Sequence, residues 1–269
     1  MRRNGIVQQA PKRSSREQFD RQASEYDAKW STWSEETLRW LIDAADLRPT
    51  DIALDVATGG GFTALELAAR VASVVATDVS SNMLALASER ALQGGLRNIR
   101  FVEAPAESLP LASASFDVVA CRIAAHHFVD VKGFISESFR VLRPGGRFVV
   151  VDTSVPDRLK VAARWQNDVE VLRDPSHFRN YSPAEWQGFI ADAGFIDIDV
   201  RDTFGGITIP LESWIAKAGC SPDQADEVRR MFAKAPETAR KQFDIRKDAN
   251  GETLFTWRRV LIKAEKPRD

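Results

Sequence analysis

The chain has 269 residues, of which 44% are hydrophobic and 28% are charged, and its formal net charge is −1. This composition is that of a globular protein and excludes a disordered or fibrous chain. A charge so close to zero disfavours a dedicated nucleic-acid binder, which usually needs a basic surplus to neutralise phosphates. No apolar run approaches the roughly 20 residues needed to span a bilayer, so no membrane span is expected.

The N-terminal region and the cysteines predict a cytoplasmic protein. No apolar stretch follows Arg2 and Arg3, so a secretory signal is not expected. Two isolated cysteines, Cys121 and Cys220, indicate a reducing compartment without a disulfide framework. Residues 1–17 are polar and basic, and we interpret them as a tail.

From residue 52 onward, short apolar runs alternate with segments of helical periodicity. Pro144-Gly145-Gly146 is interpreted as the turn that ends one of these helices. Such alternation predicts a parallel, doubly wound sheet whose ligand lies outside the carboxyl ends of the strands. The apolar runs predict five strands, at Ile52–Ala57, Ser73–Thr77, Asn98–Glu103, Phe116–Ile123 and Phe148–Val151.

The second half of the chain has a less regular pattern. An insertion between its last two strands is a suitable place for a lid over the substrate. The predicted elements are a helix over 157–173, a capped helix starting at Ser182-Pro183-x-Glu185, a strand over Phe195–Val200, a helical segment over 210–242 and a strand over Leu254–Ala264.

A glycine-rich loop, Thr58-Gly59-Gly60-Gly61, follows the first predicted strand. Glycines let the backbone approach a ligand, and the next helix offers free N–H groups to a carboxylate or phosphate. Gly59-x-Gly61-x-x-Ala64 also fits the dinucleotide pattern GxGxxG/A, with Asp78 as the ribose-binding acid. A carboxylate at Asp55 instead suits the ammonium group of an amino-acid ligand, and it would repel a pyrophosphate.

Four motifs occur in order, namely LDVATGGG (54–61), ATDVSSNML (76–84), EAPAESLPLASASFDVV (103–119) and FRVLRPGGRFVVVD (139–152). With these motifs the chain resembles class I S-adenosylmethionine-dependent methyltransferases, close to the ubiquinone/menaquinone-biosynthesis C-methyltransferase-like (methyltransferase type 11) group. The resemblance covers about residues 19–203. It implies an α/β fold with a doubly wound, seven-stranded, mostly parallel Rossmann-like sheet and a helical lid.

The resemblance also implies a division of the chain. Residues 1–36 would form a tail and a helix that caps the cofactor, residues 37–203 and 251–266 the cofactor-binding core, and residues 204–250 a helical insertion or lid. The pattern Phe19-x-x-x-Ala23-x-x-Tyr26 resembles the capping helix. The alternative for Phe19 and Tyr26 is packing in the core.

By the same resemblance, the expected cofactor is S-adenosyl-L-methionine, which yields S-adenosyl-L-homocysteine, and no metal is expected. Asp55, Gly59 and Gly61 would bind the methionine part. The rest of the expected cofactor-binding set is Asp78 at the ribose, Met83 at the adenine, Ala106 and Glu107 at the adenine edge, and Ala57, Val79, Arg122 and Tyr26. Two positions depart from the family pattern, because Ala57 replaces its first glycine and Pro105 replaces an aspartate that meets the adenine amino group.

His126 and His127 follow the fourth predicted strand and are the candidate catalytic residues. Methyl transfer from a sulfonium is an in-line displacement, so a base is needed only when the acceptor must lose a proton. An imidazole can take that proton near neutral pH. The alternative is that one histidine only packs or hydrogen-bonds the loop. Adjacent histidines without partners at ligand spacing argue against a metal site.

His177, Arg179 and Tyr181 form a weaker candidate site for a polar substrate. The alternative is that Arg179 pairs with an acid and that Tyr181 packs at the helix starting at Ser182. Four tryptophans of the second half either line an aromatic pocket or fill the core, namely Trp165, Trp186, Trp214 and Trp257.

We therefore predict methyl transfer to a small aromatic or heteroaromatic molecule, at carbon, nitrogen or oxygen. The expected partner is this small-molecule substrate and not nucleic acid, and a homodimer is left open. Three alternatives share parts of the pattern. They are a protein of this fold that binds the cofactor and catalyses a cyclisation or elimination, an NAD-dependent oxidoreductase, and a non-catalytic cofactor sensor.

Overall fold

The computed structural model describes residues 15–22, 31–203 and 208–269. Its strands are β1 Ile52–Val56, β2 Ser73–Asp78, β3 Ile99–Glu103, β4 Phe116–Arg122, β5 Leu142–Ser154, β6 Ile196–Thr203, β7 Ile209–Pro210, β8 Arg246–Lys247, β9 Thr253–Phe255 and β10 Arg258–Glu265. Its helices are α1 Ser15–Gln22, α2 Ser31–Ala44, α3 Phe62–Ala68, α4 Ser81–Gln93, α5 Val131–Val141, α6 Lys160–Arg173, α7 Pro183–Asp192, α8 Leu211–Ala218, α9 Pro222–Ala233 and α10 Glu237–Gln242. In these ranges no helix is long and apolar enough to cross a membrane.

Seven strands form the central sheet, in the order β3-β2-β1-β4-β5-β10-β6. Strands β1 to β5 pair in parallel, whereas β10 runs antiparallel to both β5 and β6. The inner strands β1, β2 and β4 are almost entirely buried, which explains their continuous apolar sequences. The predicted fold class, a doubly wound and mostly parallel seven-stranded sheet, is confirmed.

The segment Pro144-Gly145-Gly146 is part of β5 and not the turn that the sequence predicts. Between Leu142 and Arg147 the pairing of β5 with β4 shifts register, which marks a bulge. Gly145 has a φ of 75°, and a Cβ on Gly146 would lie 2.8 Å from a backbone oxygen. Turns and bulges both need this backbone freedom, so the glycines alone did not distinguish them.

The predicted strand over Leu254–Ala264 is two strands in two sheets. β9 joins β7 and β8 in a separate three-stranded sheet, whereas β10 enters the central sheet. Thr256 and Trp257 connect them. β9 therefore pairs with strands of the 204–250 region, whereas β10 pairs with β5 and β6.

The four tryptophans of the second half fill apolar cores. Trp186 is buried beneath the central sheet, in the cluster that includes residues of α5 and α7. Trp165, Trp214 and Trp257 form a second cluster with Phe232 and other aromatic rings, at centroid distances of 4.6 to 6.1 Å. Because α6 contributes Trp165, the helical layer begins before residue 204; the division of the chain into domains stays a prediction.

Candidate active site

A cavity of about 290 Å³ lies at the carboxyl ends of β1, β2 and β4. Its volume is just below the usual range for ligand pockets, roughly 300–1,000 Å³. Helix α1 contributes one wall and the glycine loop another. Seven of the expected cofactor-binding residues line the cavity, namely Ala57, Gly59, Asp78, Val79, Ala106, Glu107 and Arg122.

The other expected cofactor-binding residues either do not line the cavity or lie outside the described ranges. Asp55 and Met83 are 1% and 0% exposed and do not line the cavity. Gly61 has a φ of 89°, and a Cβ there would lie 2.8 Å from the Ala87 Cβ, so this glycine lets α3 approach α4. Tyr26 lies outside the described residues.

The carboxylate of Asp78 ties the end of β2 to the glycine loop. Its Oδ2 accepts the Gly59 N–H at 2.9 Å, and its Oδ1 accepts the Ser80 N–H at 2.9 Å. Burial raises the pKa of Asp78, and these backbone hydrogen bonds offset only part of that rise. Asp78 is therefore a hydrogen-bonded carboxylate at the cavity wall, where ribose hydroxyls could donate to it.

Two residues of the cavity wall have an unusual backbone. Ala57 has a φ of 56°, the left-handed conformation for which the family pattern uses glycine. Ile123, directly after β4, has a φ of 52°, which is a genuine outlier for a β-branched side chain. Such strain costs on the order of 1–3 kcal/mol per residue and clusters at functional sites. The replacement of glycine by Ala57 thus preserves the path of the loop at an energetic cost.

Asp55 is enclosed at the end of β1, beside the glycine loop. Thr58 Oγ1 donates a hydrogen bond to its Oδ2 at 2.6 Å. Burial outweighs this bond and the positive charge of Arg122, and it raises the pKa of Asp55 to about 7. A bound cation would favour the ionised form and lower the pKa again. Asp55 is therefore suited to an ammonium group held by the loop.

Replacing Asp55 with asparagine is expected to stabilise the ligand-free protein at pH 8. The pKa of Asp55 is higher in the fold than its ordinary value of 3.8, so its ionisation opposes folding. This penalty is absent below about pH 4 and complete above about pH 7, where it is at most about 4 kcal/mol. Urea unfolding at pH 5 and pH 8 measures it. The wild type should lose more free energy of unfolding between these pH values than Asp55→Asn, and equal losses would contradict the assignment.

Helix α1 lies across the cavity and is anchored at several points. Arg16 forms an ion pair with Glu103 at 2.6 Å, and Asp20 Oδ1 accepts the Ser80 hydroxyl at 2.5 Å. Gln18 Nε2 donates to the carbonyl of Ala218 in α8 at 3.2 Å. Helix α1 thus contacts β3 and the residue before α4 on one side, and α8 on the other.

All three histidines of the chain come together beyond the end of β4. The ring centroids of His126 and His127 are 4.2 Å apart, and that of His177 is 5.2 Å from His126. The N–H groups of Phe178 and Arg179 both donate to the His126 carbonyl, which fastens the α6–α7 connection to this edge. His177 itself is buried and does not line the cavity.

His126 and His127 have different surroundings. His126 Nδ1 lies 2.6 Å from Asp152 Oδ1, and the His126 N–H donates to Oδ2. Burial alone would lower the pKa of His126, but the charge and hydrogen bond of Asp152 raise it overall. His127 lines the cavity, with the ring of Phe19 edge-on at 5.0 Å. Burial and the charge of His126 lower the pKa of His127 to about 4, so its imidazole is neutral at physiological pH.

Arg179 and Tyr181, which were expected as weak substrate residues, do not line the cavity. Arg179 Nη2 pairs with Glu185 Oε1 at 2.5 Å, and its guanidinium lies over the Tyr181 ring. Tyr181 is 5% exposed and packs against Trp186 and Phe189. The geometry corresponds to the alternative interpretation, in which Arg179 pairs with an acid and Tyr181 packs at the start of α7.

Sequence patterns did not predict the carboxylates around the histidines. Asp152 is the last residue of the fourth family motif and received no role from the sequence, although ligands bind outside the carboxyl ends of parallel strands. Asp174 lies beyond α6, and only the fold brings it near His127. In the part of the chain that the structure describes, no group of three or more His, Cys, Asp or Glu residues could hold a metal ion.

The parallel sheet, the glycine loop, the acid at the end of β2 and the cavity between them define a class I S-adenosylmethionine-dependent methyltransferase. Residues 54–150 match the family described as "Methyltransferase domain". The chain is 34% identical over 232 residues to an uncharacterized methyltransferase, YcgJ of Bacillus subtilis (86% of this chain and 90% of the relative). It therefore belongs to this methyltransferase family.

Other relatives agree with this membership. The chain is 30% identical over 225 residues to the ubiquinone/menaquinone biosynthesis C-methyltransferase UbiE of Brucella anthropi (73% of this chain and 85% of the relative). The crystal structure of Bacillus YcgJ matches with a TM-score of 0.81 at 33% identity, covering 87% of this chain and 99% of that one. The [4+2]-cyclase SpnF, at 20% identity and a TM-score of 0.61, covers 90% of this chain and 85% of its own and shares the fold alone.

Proposed function

We propose that the protein transfers the methyl group of S-adenosylmethionine to a small, neutral aromatic or heteroaromatic molecule, at carbon, nitrogen or oxygen. The proposal is carried by the neutral imidazole of His127 at the wall of the cavity, beside Phe19 and Phe128. An apolar, uncharged surface favours an acceptor of the same character. The bound cofactor supplies an activated methyl group on a sulfonium, which leaves a neutral thioether.

The residues at the other end of the cavity fit the cofactor. Asp78 offers a carboxylate to the ribose hydroxyls, and Asp55 offers negative charge behind the glycine loop. Arg122 Nε donates to the Thr63 hydroxyl at 3.0 Å, which holds its guanidinium at the cavity wall. There it could attract the carboxylate of the methionine part. Ala106 leaves space for a flat base, because its side chain is small.

The low pKa of His127 restricts the acceptor groups from which this imidazole can remove a proton. A base with a pKa of about 4 is too weak to remove a proton from a free ammonium group, whose pKa is about 10.4 in lysine. It is strong enough once a hydroxyl oxygen or a ring carbon has begun to bond the methyl carbon, because that centre becomes cationic and strongly acidic. We therefore favour a hydroxyl oxygen or an electron-rich carbon over an aliphatic amine.

A cytoplasmic location belongs to the same proposal. It is supported by Cys121, a free thiol buried in β4, and by Cys220, a second free thiol. A cyclisation or elimination is the second candidate function, because the fold is shared with a [4+2]-cyclase and His127 could serve proton transfer in either reaction. An NAD-dependent reaction is disfavoured because the matched family and the similar relatives are methyltransferases.

Calorimetric titration with S-adenosylhomocysteine, and with NADH in parallel, tests the proposal first. We expect micromolar binding of S-adenosylhomocysteine, equivalent to about −8 kcal/mol, and no binding of NADH. A screen of phenols, quinols and heteroaromatic compounds with S-adenosylmethionine follows, with products weighed by mass spectrometry. A product heavier by one CH₂, formed together with S-adenosylhomocysteine, supports methyl transfer. A product of unchanged mass, or one lighter by an eliminated molecule, formed without S-adenosylhomocysteine supports the cyclisation or elimination alternative. NADH binding alone contradicts both functions.

A further inference from the structure

Ser176 lies between the carboxylate of Asp174 and the imidazole of His127. Its hydroxyl donates to Asp174 Oδ1 at 2.7 Å, and its backbone N–H donates to the same oxygen at 2.9 Å. Its Oγ is 3.2 Å from His127 Nδ1. Asp174 and Ser176 are both buried, so water does not compete freely for these bonds. The three side chains form a chain of hydrogen bonds that ends at the cavity wall.

The positions of the hydrogens in this series of hydrogen bonds follow from the donors and acceptors of its three side chains. A serine hydroxyl carries one hydrogen, and an ionised carboxylate can only accept. If the Ser176 hydrogen points to Asp174, then Ser176 Oγ must accept the hydrogen of His127 Nδ1. An ionised Asp174 agrees with this count. Burial opposes its ionisation, but the positive charge of Arg173 and the hydrogen bonds from the Ser176 hydroxyl and backbone N–H favour it, and the pKa of Asp174 is lowered overall.

We infer that Asp174 and Ser176 are positioning residues that hold His127 as its Nδ1–H tautomer, so that the unprotonated Nε2 faces the cavity. The use of this tautomer in catalysis rests on the proposed function. The tautomer itself is a property of the free protein. Fixing the tautomer through a neighbouring hydrogen bond is a general way to direct one imidazole nitrogen toward a ligand.

The proton transfer that this arrangement permits is balanced. The acceptor's oxygen or carbon forms a bond to the methyl carbon. At the same time the bond between the methyl carbon and sulfur breaks, and its electron pair stays on sulfur. The acceptor's proton moves to His127 Nε2. The resulting imidazolium keeps its Nδ1–H bond to Ser176, and the carboxylate of Asp174 stabilises its charge.

Charged groups on several elements act on His127. His126, in the turn after β4, lowers the pKa of His127, whereas Asp174 and Asp152 raise it. The Ser176 backbone also raises this pKa, as an acceptor of an imidazole N–H does. Glu170 and Arg173 of α6 lie in the same network and act on His126 and Asp174. Phe19 of α1 contributes an uncharged ring edge.

NMR of the imidazole nitrogens tests the tautomer without any cofactor or acceptor. The chain has only three histidines, so protein labelled with ¹⁵N-histidine gives few signals, and the His127→Gln variant assigns those of His127. We expect the wild-type His127 to have a protonated Nδ1 and an unprotonated Nε2 at pH 6 to 8. A protonated Nε2 in the wild type would overturn the inference.

Variants then separate positioning from packing. In Ser176→Ala and in Asp174→Asn, His127 is expected to shift toward the Nε2–H form, and Ser176→Thr should restore the Nδ1–H form because it keeps the hydroxyl. Ser136→Ala, an exposed serine on α5, serves as the matched control and should leave all three histidines unchanged. An unchanged His127 tautomer in both Ser176→Ala and Asp174→Asn would also overturn it. Titration with S-adenosylhomocysteine reports separately on the proposed function.

Discussion

Replacing Asp78 with alanine is expected to weaken the binding of S-adenosylhomocysteine at least 100-fold. The variant loses a carboxylate at the cavity wall, and hydrogen bonds to a charged group contribute about 1.5–3 kcal/mol each. It also leaves the Gly59 and Ser80 N–H groups without their acceptor, which loosens the glycine loop. A 100-fold loss corresponds to about 2.7 kcal/mol, which calorimetry measures directly.

Two further variants make the result for Asp78 specific. Asp78→Asn keeps an oxygen that can accept from the loop but removes the charge, so its affinity should lie between those of the wild type and Asp78→Ala. Asp192→Ala removes an exposed aspartate at the end of α7 and should bind as the wild type does. If Asp78→Ala bound S-adenosylhomocysteine with an unchanged dissociation constant, the cavity would not be the cofactor site.

Replacing His127 with alanine is expected to lower kcat by about 10² to 10⁴, the range typical of a lost general base. The measurement uses the acceptor identified by the mass-spectrometric screen. The affinity for S-adenosylhomocysteine should change less than threefold, because the cofactor end of the cavity is formed by other residues. In the wild type the base is neutral above its pKa of about 4, so protonation of His127 should reduce the rate only as the pH falls toward that value.

His127→Gln is the conservative partner of this variant. Glutamine can accept a hydrogen bond through its amide oxygen but cannot take up a proton at these pH values. If His127 acts as a base, both variants are slow. If it only orients the acceptor, His127→Gln should recover most of the wild-type kcat. Full activity in both variants would show that His127 takes no part in the reaction.

Much of the cofactor half could be predicted from the sequence because its signals are local. Inner parallel strands are continuous apolar runs. In the second half, the capping box at Ser182 marks the start of α7 through neighbouring residues in the same way. Asp78 is only 19 residues from Gly59, within one strand–helix–strand unit. The family motifs add to these signals, so the positions of the loop and the acid follow from short stretches of chain.

The acceptor side could not be predicted in the same way, because it is assembled by distant contacts. Ser176 meets His127 across 49 residues, and Asp152 meets His126 across 26. Neither pair has a characteristic spacing in the sequence. The two-residue strands β7 and β8 are too short to show a period. Only two residues, Thr256 and Trp257, separate β9 from β10, and no Gly or Pro marks the change of sheet.

The position of α1 has a consequence for the kinetics of turnover. The helix has eight residues, and an exposed ion pair and a few hydrogen bonds hold it across the cavity. These contacts join the helix to β3, to α8 and to Ser80, the N-cap of α4, so a ligand that passes α1 must break contacts to three elements. If the spent thioether product leaves on this side of the cavity, the opening rate of α1 would set an upper limit on turnover. Since exposed ion pairs weaken with ionic strength, added salt should speed this release step.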